Sequence, residues 1–289
     1  MGLLAGLEKL GLGNLEAMEL YEQPKAKAEN EGAAGEKKAV PTVQEQDLLF
    51  DKSYTCPLCD KEFKSKTVKV GKAKLIGTDM DLRPKYEIVD MLKYDVISCP
   101  HCGYTALSRF FKFLTAPQAK KVKQIISKSY KSPKIIEMTY SYEVALDRYK
   151  LALANAIVKQ SKASEKAYIC LKTGWLLRGM QEALKDNDPE YDKKKKELLD
   201  QENEFIKNAY DGFINARQTE NFPMCGMDES TVDYLLAVLA MKFEQYDVAT
   251  RLVASILAST SANPRMKDKA REVKEMLVKV IREKKQGQK

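Results

Sequence analysis

Cys56-Pro57-Leu58-Cys59 and Cys99-Pro100-His101-Cys102 are the two strings whose reading decides the architecture of this 289-residue chain. Each places two thiols on one tight turn, where the following backbone amides can donate to sulfur. Two such knuckles supply the four soft ligands that zinc accepts at about 2.3 Å. Cysteine fills all four positions, so no vertex is left for water. The centre expected from Cys56, Cys59, Cys99 and Cys102 is therefore structural Zn²⁺ rather than a hydrolytic site. Iron held as in rubredoxin and a redox dithiol pair are the alternatives these residues leave open. The spacer from Cys59 to Cys99 holds 39 residues, which is about twice the common spacing of paired knuckles and predicts an enlarged ribbon or an insertion. Gly103 supplies the left-handed position after the second knuckle, whereas Asp60 stands there after the first.

His101 is the only histidine, and it is expected to face solvent, because the inner residues of such a turn point away from the metal. A single histidine excludes an HExxH helix, which needs two, and its place between two ligand cysteines leaves none for a His-based triad. Neither a P-loop nor a GxGxxG string is present. Nothing in the sequence points to a catalytic or cofactor-binding residue, and the chain reads as a non-enzyme.

Hydrophobic residues make up 44% of the chain, enough for a folded core. No apolar run approaches the roughly 20 residues needed to cross a bilayer. Four of the six cysteines sit in metal spacing and Cys170 and Cys225 lie in unlike contexts, so a reducing compartment is expected and the location reads as cytoplasmic. The net charge is −4 over residues 1–47, +4 over 48–116 and +8 over 117–289. Lysines crowd two segments, Lys61, Lys64, Lys66, Lys69, Lys72 and Lys74, then Lys120, Lys121, Lys123, Lys128, Lys131 and Lys134. Such clusters could meet phosphates. They contain no arginine, the residue suited to bidentate contacts, and a solvated face is the stronger reading.

Residues 1–22 read as a short amphipathic peptide, with Leu3, Leu4, Leu7, Leu10, Leu15 and Met18 at near-helical spacing. Residues 23–47 are too polar to pack and read as a flexible linker that would let the peptide dock on a partner or on its own chain. Residues 48–116 read as a zinc-ribbon-like module. Its expected β-prone runs are Thr67 to Val70, Ala73 to Ile76, Tyr86 to Leu92 and Tyr94 to Ser98. Asp79 to Pro84 is expected as an exposed insertion, and Phe110, Phe111, Phe113 and Leu114 are expected to seat the ribbon on the helices.

Residues 117–289 are expected to be all-helical. Tyr142, Ala145, Leu146, Tyr149, Leu153, Ala156 and Ile157 form one stripe, and Val273, Leu277 and Val280 another. Ser230 followed by Asp233 suggests a helix start, and Asn263-Pro264 a stop and a start. A spacing recurs in this half: Ala145, Tyr149, Ala152; then Ala209, Phe213, Ala216; then, more loosely, Ala249, Val253, Ile256. Small residues there let a neighbouring helix approach, which is the packing logic of the second helix of a tetratricopeptide repeat. The 34-residue period is missing, so degenerate tetratricopeptide-like hairpins are expected. The fold class is α+β, mostly α.

Several strings together resemble a bacterial family known as domain of unknown function 2225. They are Tyr54-Thr55-Cys56-Pro57-Leu58-Cys59 with Phe63, Cys99-Pro100-His101-Cys102-Gly103-Tyr104, Gly174-Trp175-Leu176 and Phe222-Pro223-Met224-Cys225-Gly226-Met227-Asp228. The resemblance spans roughly residues 48–285 and implies no activity. The residues themselves lead to a zinc-binding cytosolic adaptor that contacts protein partners through the N-terminal peptide or a helical groove. A nucleic-acid-associated ribbon protein and a thiol-based redox sensor stand as alternatives.

Overall fold

A computed structural model of the chain describes residues 6–12, 43–133 and 138–287. It is α+β and mostly α, with three small two-stranded sheets followed by helices among the described residues. Strand β1 (Leu49–Thr55) pairs antiparallel with β2 (Glu62–Val68), β3 (Leu75–Thr78) pairs with β4 (Pro84–Tyr86), and β5 (Val96–Ser98) pairs antiparallel with β6 (Thr105–Leu107). The helices are α1 (Ala116–Val122), α2 (Tyr142–Val158), α3 (Ala163–Glu182), α4 (Tyr191–Thr219), α5 (Glu229–Lys242), α6 (Tyr246–Ala258) and α7 (Pro264–Gly287).

The chain forms two compact units, and their limits differ from the sequence-based division after residue 116. The first comprises residues 1–77, 84–161 and 172–204, and the second residues 78–83, 162–171 and 205–289. In the first, β1 and β2 alternate correctly for a half-buried hairpin on its β2 side, where Phe63 and Ser65 are buried and Lys64 is exposed. Leu48, Leu49, Val68, Val89, Tyr94 and Tyr140 form a small core at its open end. Helix α2 packs on β5 and β6. It is buried almost all round between Ala145 and Ala156, including Arg148, Lys150 and Asn155. The single stripe expected there understated its burial: a helix wrapped on every side shows little amphipathic contrast.

Several local expectations change. Residues 43–47 of the expected linker are described, and Glu45–Leu48 is a 3-10 helix. The Glu45 carboxylate accepts from Lys93 Nζ at 2.6 Å and from Tyr94 Oη at 2.8 Å. These bonds fix the chain where it enters β1. Tyr86 to Leu92 is not one strand, since β4 ends at Tyr86 and a 3-10 helix, capped by the Asp90 carboxylate, begins at Met91. The Asp79 to Pro84 stretch is exposed only in part: Met80 is exposed, whereas Asp81 and Arg83 are buried, and Arg83 lies 3.5 Å from the Asp79 carboxylate. Of the four apolar residues after the second knuckle, Phe111 is buried and Phe113 is 71% exposed.

The N-terminal peptide is described only in part. The expectations for Leu3, Leu4, Leu15 and Met18 and for the side chain of Leu7 fall outside the described residues, as does Lys134. Leu10 and Leu12 are buried against the first unit. Lys131 N donates to Leu10 O at 2.8 Å, and Lys9 pairs with Asp147 at 2.7 Å. Gly11 has φ +77° and passes so close to Ser129 O that a Cβ there would collide with it. Only glycine suits both constraints.

In the second unit α5, α6 and α7 pack on one another in sequence order. Phe205, Ala209, Phe213, Ala216, Ala249, Val253 and Ile256 are all buried, so the two later copies of the recurrent spacing do face the core. Asp228, not Ser230, caps α5: its carboxylate accepts from Thr231 N at 2.7 Å and Ser230 Oγ at 2.9 Å. Asp233 instead takes the Arg217 guanidinium at 2.6 and 3.0 Å. Sequence favoured Ser230 because it heads a capping-box spacing, but Asp228 is an equally good cap one residue outside the helix. Asn263 caps α7 through its bond from Arg265 N at 2.9 Å, with Pro264 in the first turn as expected.

Phe213 is completely buried in α4. Phe213→Ala should destabilise the protein by about 3–5 kcal/mol through lost transfer energy and the cavity left behind. Urea unfolding followed by circular dichroism measures it, and a midpoint equal to the parent's would show that Phe213 is not part of a packed core.

Candidate metal centre

The two knuckles sit at the tips of two hairpins. The β1–β2 ladder runs in register from Leu49 opposite Val68 to Thr55 opposite Glu62, so residues 56–61 form its turn. The shorter β5–β6 ladder ends at Ser98 opposite Thr105, leaving residues 99–104 as the second turn. The turns share one backbone pattern. Cys56 N donates to Lys61 O at 3.1 Å and Asp60 N to Cys56 O at 2.9 Å, matched by Cys99 N to Tyr104 O at 2.9 Å and Gly103 N to Cys99 O at 3.0 Å. Asp60 and Gly103 both take the left-handed conformation, at φ 58° and 73°. Asp60 thus adopts the role that glycine fills in the second knuckle, at an energetic cost a Cβ brings to that region.

Both turns converge. One sulfur from each of Cys56, Cys59, Cys99 and Cys102 lies within 4.8 Å of all the others. Cys56 and Cys102 are 3.6 Å apart and Cys59 and Cys99 3.7 Å apart, whereas a tetrahedron with metal–sulfur bonds of about 2.3 Å has edges of about 3.8 Å. The donor set and its spacing fit a tetrahedral thiophilic ion. Leu58 N lies 3.4 Å from the Cys56 sulfur, an amide-to-sulfur contact that stabilises thiolate. Cys56, Cys99 and Cys102 are buried and Cys59 is half-buried.

Protons are unequally shared in this cluster. Hydrogen bonds from Cys102 and then Cys56 hold the Cys99 thiol down at about 2, while contact with Cys56 and Cys99, and then burial, push Cys102 well above the ordinary thiol range. Thiolates this close repel one another, and protons or a cation must lie between them. A dication does so while keeping all four sulfurs as ligands.

The surroundings are aromatic on one side. Tyr54 and Phe63, opposite each other in the first hairpin, stack at 5.9 Å, and both meet the edge of Phe111 at 6.0 and 5.9 Å. Tyr104, the residue two after Cys102, lies 5.2 Å from Phe111 and donates its hydroxyl to Phe111 O at 3.1 Å. These rings link the two hairpins beside the sulfurs. His101 is exposed, its Nε2 3.3 Å from Glu62 O, and it adds no ligand to the cluster.

On the other side the second knuckle is gripped by helices. Asn155 Nδ2 of α2 donates to Gly103 O at 3.1 Å, and Ser127 Oγ, in the π-helical turn that follows α1, donates to Cys102 O at 2.8 Å. Arg148, also on α2, donates to Val96 O at 2.6 Å and Ser65 Oγ at 3.1 Å, joining the middle of the first hairpin to the base of the second. Sequence reasoning missed Asn155 and Arg148. Asn155 had a signal, as the one polar residue within the apolar run Leu151–Val158, where burial demands a partner, whereas Arg148 sits in the mixed turn Asp147–Lys150 and had none.

The lysines after the first knuckle are partly spoken for. Lys66 lies 3.4 Å from Asp51, Lys74 3.0 Å from Glu87, and Lys69 Nζ donates to Asp47 O at 2.8 Å. No helix among the described residues is long and apolar enough to cross a membrane.

Purified without chelator, the protein should carry one metal ion per chain, and Cys56→Ser should lose most of it. Gly103→Ala should also bind metal more weakly, because its Cβ would stand 2.5 Å from the Tyr130 ring and its φ of +73° disfavours a side chain. Acidification should release the ion, since thiols reclaim protons as pH falls. Elemental analysis across a pH series reads all three effects. A Gly103→Ala protein with the parent's metal retention would show that the second knuckle tolerates a different turn.

The profile of the family described as "Uncharacterized protein conserved in bacteria (DUF2225)" matches residues 49–277. No curated protein and no solved structure matches the chain. The matched span begins at the first strand of the first hairpin and runs through both knuckles to the buried Leu277 of α7. The chain therefore belongs to this conserved bacterial family.

Proposed function

We propose that the protein is a non-enzymatic cytoplasmic adaptor in which structural Zn²⁺, held by Cys56, Cys59, Cys99 and Cys102, fixes the first unit and the helical hairpins present the surface for a protein partner. The observation that carries this reading is the closed sulfur tetrahedron. Four protein ligands leave no coordination position for a substrate or an activated water, and three of the four cysteines are buried. Zinc suits such a site better than iron in a chain where nothing else indicates electron transfer.

The adaptor half of the proposal draws on the helices. Ala209, Phe213 and Ala216 on α4 and Ala249, Val253 and Ile256 on α6 are buried, as the second helix of a tetratricopeptide-like hairpin requires. The buried Leu10 and Leu12 favour docking of the N-terminal peptide on its own chain. That leaves the hairpins, rather than the peptide, as the surface for a partner.

The nucleic-acid reading is weaker, because neither lysine cluster contains an arginine and Lys66 and Lys74 already face carboxylates. The thiol-sensor reading suffers from burial of Cys56, Cys99 and Cys102, since an oxidant must reach a thiolate to begin the reaction. Crosslinking in the native cell separates the readings. Protein crosslinks on α5, α6 and α7 are expected. Nucleic acid crosslinked to Lys61, Lys64 and Lys72 would overturn the adaptor reading, and zinc loss under mild peroxide with Cys56 to Cys102 disulfides would favour the sensor.

A further inference from the structure

The N-terminal segment Gly6–Leu12 and the second knuckle both meet one short loop, Ser127 to Lys131. The loop closes the π-helical turn after α1, with Ser129 N and Tyr130 N both donating to Ile126 O at 3.2 and 3.0 Å. Two of its residues hold the knuckle: Ser127 Oγ donates to Cys102 O at 2.8 Å, and the Tyr130 ring lies so close to Gly103 that a Cβ there would stand 2.5 Å from it. Two others hold the N-terminal segment. Lys131 N donates to Leu10 O at 2.8 Å, and Gly11, at φ +77°, passes Ser129 O at a distance that leaves no room for a Cβ.

The segment is tied down at further points. Leu10 and Leu12 are buried, the 3-10 turn Leu7–Leu10 packs on α2, and Lys9 pairs with Asp147 of that helix at 2.7 Å. Leu10 also stands beside the knuckle itself: with Tyr130, Ser98 and Pro100 it lines a cavity of about 100 Å³ in the first unit. Ser98 and Pro100 are the chain neighbours of Cys99. Withdrawal of Leu10 would open this cavity, and water would reach Tyr130 and Pro100, the residues that pack beside the second pair of sulfurs.

We infer that residues 6–12 are an intramolecular strap that holds the second knuckle in its ligating form and slows release of the ion. This role rests on the metal centre proposed above and is independent of the adaptor half of that reading. An ion held by four sulfurs leaves only when a knuckle opens, so whatever stiffens a knuckle slows the exit. The strap acts through the loop: Leu10 and Gly11 fix Ser129 and Lys131, the loop then fixes Ser127 and the Tyr130 ring, and these fix Cys102 O and the left-handed turn at Gly103. Coupling of this kind is reciprocal, so the ion tightens the strap on the loop by the factor by which the strap tightens the ion.

Transfer of the ion from the full metal-loaded chain to a chromogenic chelator, followed by absorbance, tests the strap. Hydrogen exchange at Lys131 N, whose bond to Leu10 O exists only with the strap in place, reports docking in the same samples. Gly11→Ala and, separately, Leu12→Asp should each expose the Lys131 amide to exchange and speed transfer about fivefold or more. Phe213→Ala, which weakens the second unit and leaves the strap alone, should transfer its ion at the parent's rate. Equal acceleration in Phe213→Ala would trace the effect to general loss of stability and overturn the strap. So would a Lys131 amide that exchanges freely while the ion is held as in the parent, or one that stays protected in both strap variants. A parent chain that carries no ion would overturn the metal centre and the strap together, whereas the other failures leave the metal centre standing.

Discussion

Four sulfur atoms within 4.8 Å of one another, two pairs of them at 3.6 and 3.7 Å, must share positive charge, and the rest of the first unit is arranged around that requirement. The knuckles lie 39 residues apart in sequence, and closing such a loop costs entropy that hydrogen bonds at the tips alone would barely offset. A cation binding all four sulfurs supplies the missing attraction. The aromatic contacts of Tyr54, Phe63, Tyr104 and Phe111 add a second, weaker link beside it. Both act on the same pair of hairpins, so metal and aromatic packing reinforce one geometry.

Helix α2 carries this arrangement into the helical part of the first unit. Its burial is unusual in including Arg148, Lys150 and Asn155, residues that lose hydration unless they find partners. Asn155 finds Gly103 O and Leu151 O, and Arg148 finds Val96 O and Ser65 Oγ. The satisfied bonds fix the helix in one register against the second hairpin, where apolar contacts alone would tolerate sliding. The unsatisfied Arg148 Nε and Asn155 Oδ1 mark where this network remains open.

The clustering of the four cysteines was legible in the sequence because ligand chemistry is local: two residues per knuckle and a proline between them suffice to identify the turn. The helical half was legible for a similar reason, through the 3.6-residue period and through small residues at Ala209, Ala216 and Ala249. What was not legible depends on contacts far apart in the chain. Asp81 and Arg83 look like polar turn residues, and only their place in the second unit buries them. The cut after residue 116 followed composition, but α2 belongs with the strands it covers, because its hydrogen-bonding residues reach β5 and the second knuckle. Phe113 and Phe111 differ by two positions and by nearly all their exposure, a distinction that turns on a short stretch of irregular backbone. Leu12 escaped notice among glycines yet is completely buried.

The two knuckles are unequally supported, and this sets an order for assembling the site. The second is held by Asn155, by Ser127 and by the Tyr130 ring against Gly103, all independent of metal. The first is anchored along its strands, by Arg148 on Ser65, by Tyr140 Oη accepting from Lys66 N and by Phe111 against Tyr54 and Phe63, while Asp60 takes a left-handed conformation at its turn. The second knuckle is thus the more directly held half of the site, and an ion would fix the tip of the first against it. Ordering only one half on binding lowers the entropic cost of assembly and raises affinity for a given set of ligands. It also places the sensitive step at the first hairpin. Loss of an ion would release Cys56 and Cys59 while Gly103 O kept its bond from Asn155 of α2 and Cys102 O its bond from Ser127, so the helical packing would outlast the metal centre.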